Sequence, residues 1–154
     1  MKIWIDADAC PKVVKEIIFR AAKRLKIETI LVANHDMYIP RSPHIKKVLV
    51  GKGFDVADHH IAENLGPFDL VITADIPLAA EVVESEAFAI SPRGQLYTEE
   101  NVRERLSVRN FMQDIRDHGG STGGPPPLRE SDKRQFASTF DRVLTQLRRR
   151  ESPL

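Results

Sequence analysis

Short apolar runs alternate with amphipathic stretches from residue 2 to about residue 90, and the two periods predict strands alternating with helices. Residues 2–6 (KIWID) form the first run and end in an acid. Behind it, Val13, Val14, Ile17, Ile18, Ala21, Ala22 and Leu25 fall on one stripe of a helix. Pro11 suits the first turn of that helix, where a missing N–H costs nothing. Residues 27–33 read as a second strand, and the following HDMYIPRSPH is irregular because Pro40 and Pro43 disfavour regular structure. A third strand over 47–50 leads through the turn GKGFD into a short helix over about 58–65, which Gly66 and Pro67 stop. Residues 69–73 (DLVIT) are a nearly continuous apolar strand of the kind buried on both faces. Pro77 then opens a helix through about residue 84, and residues 87–90 make a fifth strand.

Such alternation implies βαβ crossovers, so the expected fold class is α/β, a three-layer sandwich around a mainly parallel sheet of about five strands. The rest of the chain differs in character. SPRGQLY is a loop, and a long polar helix over about 98–117 is anchored by Val102, Leu106, Phe111 and Ile115. GGSTGGPPP, residues 119–127, is too rich in Gly and Pro for an element and is expected beside the acidic edge of the sheet. Phe136, Phe140, Val143, Leu144 and Leu147 mark a final amphipathic helix, with residues 148–154 expected as a frayed basic tail. At 154 residues the chain suits one domain, placed at 1–150 with a helical flank over 98–150 and a tail over 151–154.

Composition narrows the setting more than the function. One cysteine, Cys10, excludes an intramolecular disulfide, and no apolar stretch of about 20 residues exists to span a bilayer. No leader-like segment opens the chain, so a soluble, reducing compartment is expected, most simply the cytoplasm. A net charge of +1 advertises no polyanionic partner for the molecule as a whole, although local basic patches remain open to one.

In open parallel sheets, ligands collect beyond the carboxyl ends of the strands. Two strand ends carry acids: IWIDADACP holds Asp6 and Asp8, and LVITADIPLA holds Thr73 and Asp75. Were strands one and four neighbours, these carboxylates would converge, and three like charges sharing a crevice need a cation or raised pKa values. Oxygen-only ligation suits Mg²⁺ or Mn²⁺. Asp55 after the third strand, or Asp58 near a helix start, would extend the set. The plainer alternative is that Asp6, Asp8, Asp58 and Asp75 cap helices, each worth about 1 kcal/mol.

The strings DADACP, VANH followed by PRSPHI, GKGFDVADHHIAENL, DLVITADIPLA, SPRGQLYTEENV and GGPPP resemble, in order and over almost the whole chain, the YaiI/YqxD family. That family looks like a branch of the PIN-like nuclease superfamily, whose members hold one or two Mg²⁺ or Mn²⁺ ions between acids at strand ends and hydrolyse phosphodiesters. By this resemblance Asp6 matches the acid ending the first strand, and Thr73 with Asp75 matches the threonine-or-serine, any, aspartate element ending the fourth. GKGFD looks like the lysine-glycine-any-aspartate turn of the NYN branch and nominates Asp55. The chain departs from the wider pattern at Asp8, which has no counterpart there, at Pro77 and Leu78, which replace an acid and an aromatic, and in the early helix, where Glu16 is the nearest acid.

The resemblance thus implies a PIN-like, metal-dependent nuclease with Asp6 and Asp75 as catalytic residues, acting on RNA or DNA. Arg41, His44, Lys46, Lys47, Lys52 and Arg93 are the candidates for substrate phosphate contacts, and Thr73 is a further substrate-binding candidate. Two other readings stand beside it. IWIDADAC fits the aspartate-any-aspartate opening of haloacid-dehalogenase-type phosphatases, with Asp6 as nucleophile and Asp8 as acid. A non-catalytic module recognising nucleic acid or protein needs no metal at all. Blander roles suit the rest: His59 and His60 point about 100° apart on a helix, His35 and His44 have no Cys partners for zinc, Trp4 reads as core, and Cys10 as a small residue at a tight turn.

Overall fold

A computed structural model of the chain describes residues 1–53, 56–107 and 127–151. Five strands form one all-parallel sheet: β1 (Ile3–Asp6), β2 (Thr29–Ala33), β3 (Ile45–Leu49), β4 (Leu70–Ile72) and β5 (Phe88–Ile90), in the order β3-β2-β1-β4-β5. The helices are α1 (Lys12–Leu25), α2 (Val56–Asn64), α3 (Ile76–Glu84), the helical residues 99–107 (α4) and α5 (Glu130–Glu151). No helix among the described residues is long and apolar enough to cross a membrane.

Alternation along each strand divides the core into two layers. Ile3, Ile5, Leu31, Ala33, Leu70, Ile72 and Ile90 point to a layer completed by Val14, Ile18 and Ala22 of α1 and Phe136, Phe140 and Leu144 of α5. Trp4, Ile30, Val32, Val71 and Ala89 face the opposite way, onto Ile61 of α2, Leu78 and Val82 of α3 and Val102 of α4. The three-layer α/β architecture expected from the sequence is therefore the one present.

Element ends moved where side-chain pattern competes with backbone pairing. β3 starts at Ile45, two residues earlier than its apolar pattern indicates, because Ile45 pairs with Thr29 while the Ser42 carbonyl accepts from the Ile45 N–H at 3.3 Å. α2 begins at Val56, so Asp58 lies in its first turn, where an acid meets the positive end of the helix dipole. The expectation of a frayed tail from residue 148 is corrected: α5 runs through Glu151. Its Arg150 guanidinium sits over the rings of Phe68 and Phe88, 5.4 and 5.8 Å from their centroids. The Gly/Pro loop at 119–126 and the helix expected over 108–117 lie outside the described residues.

One buried carboxylate is structural. Asp69, just before β4 and 4% exposed, accepts from the Lys2 N–H (2.9 Å), the Gly66 N–H (2.9 Å) and the Trp4 indole (3.1 Å). Asp69→Asn keeps the volume but turns an NH₂ toward one of these donors, and is expected to cost about 2 kcal/mol. A urea titration followed by the fluorescence of Trp4, the only tryptophan, reads this directly; an unchanged midpoint would discard the role.

Candidate functional site

Strand order reverses between β1 and β4, and the crevice beyond their carboxyl ends is where an open sheet accepts a ligand. The register Ile5 with Ile72 sets the next residues, Asp6 and Thr73, side by side. Both point to the α2/α3 face. The Thr73 hydroxyl donates to Asp6 Oδ2 at 2.8 Å and accepts from the Asp75 N–H at 3.0 Å. Thr73 is 1% exposed and its hydroxyl is engaged on both sides, so it positions Asp6 and does not meet a substrate.

Asp75 is the N-cap of α3, its Oδ1 accepting from the Leu78 N–H at 2.8 Å, so the helix-capping alternative holds for this residue. It fails for Asp6 and Asp8, neither of which caps a helix with its side chain. Asp8 accepts from the Asn34 backbone N–H at 2.9 Å and lies 2.9 Å from His35 Nδ1. The phosphatase alternative needs Asp8 free to exchange a proton with substrate, whereas both its oxygens are engaged by the β2–β3 connection.

Asp6 is 8% exposed and its proton affinity is raised, first by burial and then by the charges of Asp75 and Asp8, against a lowering by the Thr73 hydrogen bond. Among the described residues its Oδ1 has no donor and no unpartnered side-chain oxygen is sealed from solvent, so this atom keeps a solvent-facing side at the carboxyl edge of the sheet. No group of three or more acids, histidines or cysteines close enough to cage a metal occurs among the described residues.

A cleft of about 390 Å³ is lined by the sequence neighbours of two of these acids, Ala9 and Ala74, with Pro92, Arg93, Tyr97 and Arg105 among others, and by none of the carboxylates themselves. Its wall is the loop after β5. Ser91 Oγ accepts from the N–H groups of Arg93 (3.2 Å) and Gln95 (3.1 Å), and Arg93 Nη1 reaches Asp132 of α5 at 2.7 Å. The Tyr97 hydroxyl donates to the Thr73 carbonyl at 3.3 Å, and burial pushes its phenol pKa up, Arg105 opposing and Asp75 adding to the rise.

The other expected residues scatter. Lys46 pairs with Glu28 at 2.8 Å at the amino end of the sheet, away from the acids. Arg41 is exposed in the β2–β3 connection, His44 joins the start of β2 through its carbonyl, and Lys47 pairs with Asp36. Lys52 is exposed in the turn after β3, and Asp55 lies outside the described residues. Burial drives the Cys10 thiol up to about 12, which keeps it protonated. Sequence reasoning missed Tyr97, Arg105 and Asn34, whose roles arise only when distant loops meet.

With this geometry in place, the family profile described as "Uncharacterized BCR, YaiI/YqxD family" matches residues 4–146, a span from β1 into α5. The chain belongs to the YaiI/YqxD family. Similar members of known sequence include a UPF0178 protein of Hydrogenovibrio crunogenus, 56% identical over 97% of this chain and 99% of that one. Another, from Syntrophotalea carbinolica, is 57% identical over 94% of this chain and 98% of its own. No solved structure matches the chain significantly. These names state no reaction, so for this YaiI/YqxD chain the chemistry is argued from the crevice itself.

Proposed function

We propose that the chain is a PIN-like, divalent-metal-dependent phosphodiester hydrolase acting on RNA or DNA, with Asp6 and Asp75 as its central acids. The observation that carries this reading is the buried Asp6, held by Thr73 at the switch point with one oxygen free of any donor among the described residues and not sealed from solvent. A carboxylate so buried and flanked by two like charges gains from a cation beside it.

The donor set fits Mg²⁺ or Mn²⁺ better than a caged metal. Such ions keep several waters and are bound by one or two carboxylates together with substrate phosphate. Absence of a three-ligand group among the described residues is compatible with that mode. Asp6 Oδ1 and the Asp75 carboxylate would hold the ion, with the charge of Asp8 adding to the field around it. When bound, the ion supplies an activated water and neutralises the scissile phosphate. Thr73 keeps Asp6 in one rotamer, Arg93 and Arg105 offer cationic donors along the cleft, and Pro92 and Tyr97 limit water in it.

The test is a calorimetric titration of Mn²⁺ and Mg²⁺ into the wild type and Asp75→Asn, with labelled RNA and single-stranded DNA incubated in parallel. Binding and metal-dependent cleavage by the wild type, both lost in the variant, support the hydrolase. A wild type that neither binds the ions, with or without nucleic acid, nor cleaves is a binding module instead.

A further inference from the structure

Two runs of the chain, residues 20–26 and 142–150, each contain four Lys or Arg and no acid. They belong to different helices, but the fold brings them together. α1 and α5 pack on the same face of the sheet and touch each other. α5 starts near the acidic edge, where Asp132 holds Arg93, and ends beside Met1, Leu25 and Lys26 at the amino edge. Its 22 residues span about 33 Å.

Two adjoining grooves lie there, of about 710 and 480 Å³, sharing Thr145 and Arg149. Together they present Lys26, Arg142, Arg148 and Arg149, and the acid in their lining, Glu28, is already paired with Lys46. None of these four cations has an ion pair among the described residues. Helix dipoles explain cations in a last turn, because the carbonyl end favours positive charge. They do not explain Arg142, which lies more than two turns before the end of α5 and on one stripe with Thr145 and Arg149.

We propose that this basic groove at the amino edge binds the phosphodiester backbone of single-stranded nucleic acid, at a site separate from the acidic crevice and independent of any metal there. Three arginines suit phosphate, since the guanidinium fork donates two parallel hydrogen bonds to its oxygens. A membrane surface is disfavoured because a surface helix needs apolar side chains to insert. The exposed large apolar residues here are Tyr38 and Leu49, on other elements, and Phe68, which lies under Arg150. Nothing in this inference requires the chain to be a hydrolase.

Fluorescence anisotropy with a labelled single-stranded RNA and the matching DNA, in EDTA, tests it across a salt series. The wild type should bind, and Arg142→Ala with Arg148→Ala and Arg149→Ala should weaken binding at least tenfold. The slope of log K against log salt should become shallower by about 2, at about 0.7 for each phosphate that the variant no longer neutralises. The corresponding triple lysine variant should keep most of the slope, which a merely misfolded protein would not. The assay reads binding alone, with the metal removed by EDTA, so failure of the hydrolase reading leaves this result untouched. No binding by the wild type, equal binding by the alanine variant, or binding to phosphatidylserine vesicles in place of nucleic acid overturns the proposal.

Discussion

Replacing Gly94 by alanine is expected to lower the unfolding free energy by about 3–4 kcal/mol, among the larger effects of a single substitution. Gly94 has φ +89°, a region that L side chains rarely occupy. A Cβ built there would lie 2.5 Å from the Gln135 carbonyl carbon and from the Phe136 nitrogen. Both atoms belong to the backbone of α5, which cannot yield as a flexible side chain would. Loop and helix must separate, stretching the Thr139 hydroxyl's bond to the Gly94 carbonyl (2.7 Å) and the Arg93–Asp132 pair. For a chain of this size, thermal unfolding should fall by roughly 10 °C. Gly51→Ala is the control: nothing lies within 4 Å of its Cβ position, so a change within about 0.5 kcal/mol is expected. Equal melting of the two variants would show that the loop is not clamped to α5. If it is clamped, Gly94→Ala should also impair whatever the cleft binds, because the same loop carries Arg93 and Tyr97.

The order of strands and helices is legible in the sequence because a parallel strand buried on both faces is a nearly continuous apolar run, and β1, β2 and β4, buried along their whole length, carry only Asp6 and Thr29 as polar residues at their ends. From that order alone, adjacency of β1 and β4 follows once the sheet is taken to reverse direction, and Asp6 and Thr73 meet. What sequence reasoning cannot supply is the direction of a polar side chain among competing partners. Asp8 sits two residues from Asp6, yet its carboxylate is taken up by Asn34 and His35, which arrive from the far end of β2. Asp69 reads as the first residue of a strand and turns out to be the acceptor for three donors. Arg148–Arg150 read as a fraying tail because nothing local holds them; the support comes at Arg150 from Phe88 and Phe68, 62 and 82 residues earlier in the chain. Each failure is of one kind. Periodicity reports which face an element buries, while caps, ion pairs and cation–aromatic contacts depend on which loops fold back to it.

Asp6→Asn is expected to remove metal-dependent cleavage by roughly 10³-fold, the scale on which loss of one electrostatic anchor acts, while making the metal-free protein more stable at neutral pH. Burial, then the charges of Asp75 and Asp8, raise the folded-state pKa of Asp6 above the ordinary 3.8. A raised carboxyl binds its proton more tightly in the folded state than in the unfolded one. Stability is therefore lost as pH climbs from about 3.8 through the raised folded value. Above that window the wild type carries the full cost of an ionised, desolvated carboxylate; asparagine carries none, and its carbonyl still accepts from Thr73. Urea midpoints should favour the variant at pH 7 and converge near pH 3.8. Adding Mn²⁺ at about 100 times its dissociation constant should raise wild-type stability by about 2.7 kcal/mol and leave the variant unchanged. A variant less stable than the wild type at pH 7, with both indifferent to Mn²⁺, would mean that Asp6 is retained for folding and that the crevice holds no ion.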